Sequence, residues 1–143
     1  MLTIKNPATS KEWEEYYHLR WKILREPLNL ELGSEKDDLE NQAIHRVIES
    51  DGEIIAVGRL HFNKDGRGQI RYMAVLPDYR GKGIGRMIVD EFIKISKDKN
   101  ISKIILYARE SVVEFYKSLG FEKIKKAHKL KNIQHFLMER KII

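Results

Sequence analysis

The segment from Arg80 to Gly85 (R-G-K-G-I-G) has the composition of a loop that binds a phosphate group. Its three glycines stand at alternate positions, which lets the backbone come close to a ligand. The loop follows a predicted strand and begins a predicted helix, so its N–H groups converge at the positive end of the helix dipole. The residues therefore predict an anion site at a helix start, although the same glycines would also suit a simple tight turn.

The two best-known nucleotide loops do not fit these residues. A P-loop needs G-x-x-x-x-G-K-[ST], which the chain does not contain. A dinucleotide fingerprint needs G-x-G-x-x-G, and Arg86 occupies the position of its third glycine. Residues 76–79 also separate the loop from its strand, whereas a dinucleotide loop turns sharply off the strand. The predicted anion site is therefore of another kind.

Two separated motifs carry a resemblance to a known family. Arg80-x-x-Gly83-x-Gly85 follows Met73-Ala74-Val75-x-Pro77-x-Tyr79, and together they resemble the acyl-CoA signature R/Q-x-x-G-x-G/A of the GNAT superfamily of N-acyltransferases. The segment from Ala108 to Phe121 (A-R-E-S-V-V-E-F-Y-K-S-L-G-F) is similar to that family's A-x-x-x-A-x-x-F-Y-x-x-L-G-F. Ile133-Gln134-His135 is similar to the I-P-H of an ElaA-like branch, with glutamine in place of the proline.

The resemblance implies acetyl-CoA as co-substrate and no metal. Backbone groups before the loop would meet the pantetheine arm like an additional strand, with the Val75 N–H near the thioester carbonyl. Backbone amides of the loop would bind the pyrophosphate, and three cationic side chains would add charge. The residues implied to bind the coenzyme are Met73, Ala74, Val75, Arg80, Gly81, Lys82, Gly83, Ile84, Gly85, Arg86 and Ser111.

The activity that the resemblance implies is N-acetylation of a primary amine, by direct attack on the thioester in a ternary complex. No covalent enzyme intermediate is needed, which agrees with the absence of cysteine. Tyr116 occupies the motif position of the family's usual general acid, and an ordinary tyrosine pKa of about 10 keeps it protonated at neutral pH. The competing interpretation is a core aromatic, but Phe115 is expected to fill the inward-facing position beside it.

The general base is left open by the sequence. Gln69 occupies the position at which histone-type members of the family carry a glutamate, and an amide cannot take up a proton. The candidates are Glu110, His135 and His61, or a water chain that ends on one of them, and the ordinary histidine pKa of about 6.5 suits the task. The acceptor is equally open, since a small molecule or a protein amine would serve.

The elements that position these residues follow from hydrophobic periodicity and turn signals. A capping box at Thr9 to Glu12 begins a helix that ends near Arg25, and residues 29–41 form a mobile connection with one helical turn at most. Strands are predicted over 2–4, 44–48, 54–61, 69–75, 101–107, 121–125 and 133–140, and further helices over 84–96 and 111–119. This order predicts one α+β or α/β domain over 1–143. Its sheet is mixed but mostly antiparallel and flanked by helices, with the acyl-CoA loop between the fourth strand and the third helix.

Composition limits the classes of protein that remain. Hydrophobic residues make up 42% and charged residues 34%, which is typical of a folded domain. The sequence shows neither a signal peptide nor a membrane-spanning run, so we expect a cytoplasmic protein. The net charge of +6 suits an anionic partner, and the alternatives to an enzyme are a basic nucleic-acid-binding module and a non-catalytic acyl-CoA sensor. Many members of the family form dimers, so a homodimer is a further expectation.

Overall fold

The computed structural model describes residues 1–143 and contains every predicted strand. The strands and α-helices, in chain order, are β1 (Leu2–Lys5), α1 (Ser10–Leu24), β2 (Ile44–Ser50), β3 (Glu53–Phe62), β4 (Gly68–Val75), α2 (Ile84–Asp98), β5 (Lys103–Arg109), α3 (Val113–Ser118), β6 (Glu122–Leu130) and β7 (Ile133–Lys141). None of the helices combines the length and the apolar composition that a membrane span requires.

The seven strands form one sheet in the order β1-β2-β3-β4-β5-β7-β6. Only β4 and β5 pair in parallel, because α2 connects them, and every other neighbouring pair is antiparallel. The predicted α+β fold with a mixed, mostly antiparallel sheet is therefore confirmed.

Local signals in the sequence set the first helix and the first hairpin. The Thr9 hydroxyl accepts a hydrogen bond from the Glu12 N–H at 3.1 Å, and the Glu12 carboxylate accepts one from the Thr9 N–H at 3.1 Å, which is the predicted capping box. Between β2 and β3, Asp51 and Gly52 both have positive φ, at 51° and 82°. This is the backbone that a two-residue hairpin turn requires.

The helices pack on both faces of the sheet, and two cores result. Val47 and Val57 lie with α1 in a small core around Tyr16. Their chain neighbours point to the opposite face because side chains alternate along a strand. That face forms the larger core, in which Ile48 packs with α2 and α3.

Two helical predictions differ from the structure. The connection after α1 contains only 3₁₀ turns, at Glu26–Leu28 and Glu40–Gln42, so the helix after the glycine loop is the second α-helix and not the third. The helix predicted from residue 111 begins with the 3₁₀ turn Glu110–Val112, and α3 follows it. The extra 3₁₀ turn changes which side chains of this segment face the core.

The sheet opens between β4 and β5, and this opening, called the fork below, is the feature of the fold that matters most for function. β4 and β5 pair only at Gly68 with Ile104 and at Gln69 with Ile105. Beyond these two pairs the parallel strands separate, while β5 stays paired with β7 as far as Arg109. The fork leaves one edge of β4 without a neighbouring strand over the rest of its length.

Candidate active site

The fork opens into a cavity of about 1010 Å³ that reaches from the glycine loop to α1 and β7. Of the residues predicted to bind the coenzyme, all but one line this cavity: Met73, Ala74, Val75, Arg80, Gly81, Gly83, Ile84, Gly85, Arg86 and Ser111. Lys82 is the exception, and its ammonium lies 5.5 Å from the centre of the Tyr79 ring. Two of the proposed catalytic residues, Tyr116 and His135, also line the cavity.

A β-bulge in β4 shapes the edge that faces the fork. The register between β3 and β4 shifts between Val57 and Arg59, and Tyr72 adopts φ of 58°, a left-handed conformation rare for a tyrosine. Because of the bulge, Arg71 and Tyr72 both point toward α1, and Met73 returns to the α2 face. Strained backbone of this kind concentrates at functional sites.

The free edge of β4 presents a backbone donor to the fork. The Leu76 N–H donates to the Ile55 carbonyl of β3 at 2.9 Å. Since N–H groups alternate between the two edges of a strand, the Val75 N–H lies on the opposite edge, toward the fork. The Arg80 Nε donates to the Val75 carbonyl at 3.1 Å on this same edge. The strand edge and the glycine loop are thus directly connected.

The glycine loop ends in an uncapped helix start. Gly81 and Gly83 have φ of 75° and 79°, which a residue with a Cβ adopts only at a cost. Gly83 is the N-cap of α2 and has no side chain to satisfy the first N–H groups of the helix. These groups and the positive end of the helix dipole are therefore available to an anion.

Tyr116 lies on the α3 side of the fork. Its side chain is buried, with 7% exposed, whereas 38% of Phe115 is exposed. The expectation that Phe115 would fill the inward position was wrong, because α3 starts after a 3₁₀ turn and turns Tyr116 toward the core. Burial alone raises the pKa of Tyr116, and no hydrogen bond or charge offsets it. The hydroxyl therefore stays protonated and has no hydrogen-bond partner in the protein, and Tyr116 is one of the residues that line the cavity.

His135 lies on the other face of the sheet, on β7. Its Nδ1 is 3.0 Å from the Ile133 carbonyl, and because a carbonyl can only accept, Nδ1 carries the proton. Nε2 is then an acceptor without a protein partner. Burial lowers the pKa of His135, and with the charges of His128, Arg109 and Arg25 it outweighs the hydrogen bond to the Ile133 carbonyl, which raises that pKa. The imidazole is thus neutral and able to take up a proton at neutral pH.

The other base candidates are placed less favourably. Glu110 is exposed in its 3₁₀ turn and does not line the cavity. His61 is buried on β3, outside the cavity, with Nδ1 3.1 Å from the Arg59 guanidinium. Gln69 does line the cavity, where the fork begins, and accepts a hydrogen bond from Asn63 at 3.1 Å. Of the three base candidates, only His135 reaches the cavity.

A buried ion-pair network near the cavity was missed by sequence reasoning. Arg20 and Arg59 are fully buried, and the Glu40 carboxylate bonds both of them, at 2.9 and 2.7 Å. Asp37 bonds Arg59 at 2.6 Å and Arg71 at 2.7 Å. These pairs tie the connection over 29–41 to the sheet, where the sequence predicted a mobile segment. The one available signal was Arg59 itself, since an arginine within an apolar strand needs a buried partner.

Comparisons with known proteins agree with this geometry. The model of the Acetyltransferase (GNAT) family matches residues 10–121. YjcF of Bacillus subtilis (strain 168), named as an uncharacterized N-acetyltransferase, is 29% identical over 111 residues, which cover 78% of this chain and 79% of YjcF. Escherichia coli ElaA has a similar structure, with a TM-score of 0.84 at 18% identity over 99% of this chain and 100% of ElaA. An acyl-CoA N-acyltransferase from Pseudomonas aeruginosa has a TM-score of 0.82 at 21% identity, covering 98% of each chain.

The forked sheet, the bulged fourth strand and the glycine loop at a helix start define an acyl-CoA-dependent N-acyltransferase. The chain belongs to the GNAT family of acetyltransferases, because the family model covers most of it. The family membership that the two sequence motifs indicated is therefore confirmed. The likeness to ElaA and to the Pseudomonas enzyme, at these identities, is a likeness of fold.

Proposed function

We propose that this protein transfers an acetyl group from acetyl-CoA to a primary amine, by direct attack of the amine on the thioester in a ternary complex. One observation carries the proposal: Tyr116 and His135 line the same cavity, and neither the Tyr116 hydroxyl nor the His135 Nε2 has a hydrogen-bond partner in the protein. Tyr116 lies on the face of the sheet that packs against α2 and α3, and His135 lies on the α1 face, so the cavity at the fork is lined from both faces. Such a pair supplies a proton donor on one side and a proton acceptor on the other.

The fork supports binding of the coenzyme along the free edge of β4. The pyrophosphate would accept hydrogen bonds from the glycine loop and from the first turn of α2. Arg80 and Arg86 line this end of the cavity and add positive charge, and Ser111 contributes a hydroxyl. Lys82 adds its charge from outside the cavity lining. The pantetheine arm would extend β4 as a further strand, with the Val75 N–H directed at the thioester carbonyl.

His135 and Tyr116 divide the proton transfers between them. The amine attacks in its neutral form, its lone pair forming the new N–C bond, and His135 Nε2 takes one proton from that nitrogen as the bond forms and later releases it to solvent. The Val75 N–H stabilises the oxyanion that develops on the carbonyl. Tyr116 donates a hydrogen bond, and then a proton, to the sulfur as the C–S bond breaks, and regains a proton from solvent. The products are the N-acetylated amine and free CoA.

Ligand-dependent unfolding and CoA release test this proposal together. Saturating acetyl-CoA should raise the thermal midpoint of the purified protein, because a ligand that binds only the folded state stabilises it. ATP at the same concentration is the control for a general effect of phosphate. A panel of primary amines, assayed for free CoA, then tests turnover. An unchanged midpoint with acetyl-CoA would contradict the proposal.

The two competing functions give different results in the same measurements. A nucleic-acid-binding module predicts a rise in the midpoint with single-stranded DNA and none with acetyl-CoA. A coenzyme sensor predicts a rise with acetyl-CoA and no release of CoA with any amine. The acetyltransferase alone predicts a rise with acetyl-CoA followed by amine-dependent release.

A further inference from the structure

Two arginines on the α1 side of the cavity have no acidic partner. Arg25, only 9% exposed, donates from Nε to the Ser34 carbonyl at 3.1 Å and from Nη1 to the Leu24 carbonyl at 3.1 Å. Arg109 at the end of β5 donates from Nη2 to the same Leu24 carbonyl at 2.7 Å. Their shared acceptor brings the two guanidinium groups together, and both side chains line the cavity. Their remaining N–H groups are free to bind a ligand.

The nearby acidic residues do not neutralise this pair. Glu40 and Asp37 are committed to Arg20, Arg59 and Arg71. No aspartate or glutamate is among the residues that line the cavity. The two guanidinium groups therefore have no carboxylate partner, although Arg25 is buried and Arg109 is half-buried.

The pKa values of both arginines agree with an uncompensated charge. Burial lowers the pKa of Arg25, and together with the charges of Arg71 and Arg20 it outweighs the neighbouring Tyr72, which acts in the opposite direction. Burial also lowers the pKa of Arg109, with Arg25 as the second cause. A bound anion would remove both effects, because it would replace the lost hydration and screen the repulsion between the guanidinium groups.

The pair lies directly beside the proposed base. Arg109 and His135 are opposite each other on β5 and β7. Directly opposed side chains of an antiparallel pair are roughly 5 Å apart at Cβ. If Arg109 binds an anionic group of the acceptor, an amine a few bonds from that group would lie within reach of His135 Nε2.

We propose that Arg25 and Arg109 bind an anionic group of the acceptor, so that the enzyme acetylates small amines carrying a carboxylate or phosphate a few bonds from the nitrogen. The proposal deepens the acetyltransferase function and rests on it. An α-amino acid has this arrangement with a carboxylate, and an aminoalkyl phosphate has it with a phosphate. Polycationic amines are disfavoured, because the cavity offers them arginines and no carboxylate.

A matched acceptor panel with acetyl-CoA and the full chain tests this inference. It pairs each of several α-amino acids with its uncharged carboxamide, and ethanolamine phosphate with ethanolamine, and compares kcat/KM within each pair. We expect the anionic member to be preferred at least about tenfold, as one charge-assisted contact in a buried site would give. The pair that shows the larger preference distinguishes a carboxylate from a phosphate.

Arg109→Gln should reduce that preference at least about tenfold, through KM of the anionic acceptor, while KM for acetyl-CoA stays unchanged. Arg67→Gln is the matched control, since Arg67 lies in the turn between β3 and β4 and does not line the cavity; it should leave the preference unchanged. If acetyl-CoA binds but the uncharged amines react equally well, or no anionic amine reacts, the anionic-acceptor proposal is wrong. Failure of acetyl-CoA to bind would instead contradict the acetyltransferase function.

Discussion

The phenyl ring of Phe115 occupies the space that a side chain at Gly85 would enter. An ideal Cβ on Gly85 would lie 3.1 Å from the Phe115 Cζ, and no positive φ is required of this glycine. Gly83 differs, because a Cβ there would meet no neighbouring atom but would have to adopt φ of 79°. The glycine loop and the segment that contains Phe115 and Tyr116 are therefore in direct contact. Gly85 leaves room for the Phe115 ring, whereas Gly83 allows the left-handed backbone.

Alanine substitutions should separate these two purposes. Gly83→Ala should destabilise the protein by about 1–2 kcal/mol, the cost of left-handed backbone for a residue with a Cβ, and weaken acetyl-CoA binding by disturbing the loop. Gly85→Ala should cost less than about 1 kcal/mol, because the half-exposed Phe115 ring can shift and alanine favours a helical first turn. Thermal midpoints with and without acetyl-CoA test both. Gly85→Ala should keep more of the rise in midpoint that acetyl-CoA causes than Gly83→Ala, and an equal loss of that rise in both variants would contradict this distinction.

Tyr116→Phe should lower kcat at least about tenfold, because the departing sulfur loses its proton donor. The free energy of unfolding should not fall, since the buried hydroxyl has no protein partner to lose. KM for acetyl-CoA should stay within about twofold if the phenol acts only in the chemical step. Steady-state kinetics and urea unfolding of the variant are the measurements. Unchanged turnover would remove Tyr116 as the acid.

His135→Gln should lower kcat and should remove the acid limb from the pH profile of kcat/KM. Burial lowers the pKa of His135, so the group loses its proton below the ordinary value of about 6.5. The lowered pKa belongs to the ligand-free enzyme, and kcat/KM reports that state, so we expect the acid limb of the wild-type kcat/KM profile to lie below about pH 6.5. Glu110→Gln is the control, because Glu110 lies outside the cavity, and its profile should match the wild type. An acid limb that persists in His135→Gln would assign the base to another group.

The parts of this site that could be predicted from the sequence are those encoded within a short segment of the chain. The loop at Arg80–Gly85 and the helix after it could be predicted, because glycine spacing and hydrophobic periodicity are properties of a short segment. The orientation of Tyr116 could not be predicted, because the 3₁₀ turn at Glu110–Val112 rotates the following helix by a fraction of a turn.

Contacts between distant segments were the second kind of feature that the sequence did not show. Arg25 follows the first helix and Arg109 ends the fifth strand, and only the folded chain brings both to the Leu24 carbonyl. The network that joins Arg20 and Arg59 to residues 37 and 40 likewise depends on how the connection after α1 folds over β3 and β4. Apart from Arg59 within its apolar strand, nothing in the sequence distinguishes these residues from ordinary surface charges, so their burial was not predicted.

Glu40→Gln tests how strongly that network holds the connection over the sheet. The substitution keeps the shape of the side chain but leaves the fully buried Arg20 without its carboxylate, and removing one partner of a buried pair costs about 3 kcal/mol or more. Glu15→Gln is the matched control, because the exposed pair of Glu15 with Lys11 at 3.9 Å contributes about 0.5 kcal/mol or less. Urea unfolding at pH 7 should show a large loss for the first variant and almost none for the second.

The same network should make the difference between wild type and Glu40→Gln depend on pH. Burial by itself would raise the pKa of Glu40, but the hydrogen bonds and charges of Arg20 and Arg59 outweigh burial and hold that pKa below its ordinary value. The stability that this carboxylate contributes is therefore complete above the unfolded-state pKa of about 4.3 and is lost as the pH falls through the lower folded-state value. We expect the difference in the free energy of unfolding to be constant from pH 7 to 5 and to shrink toward pH 3. A difference that stays constant to pH 3 would mean that packing, and not the charge of Glu40, accounts for it.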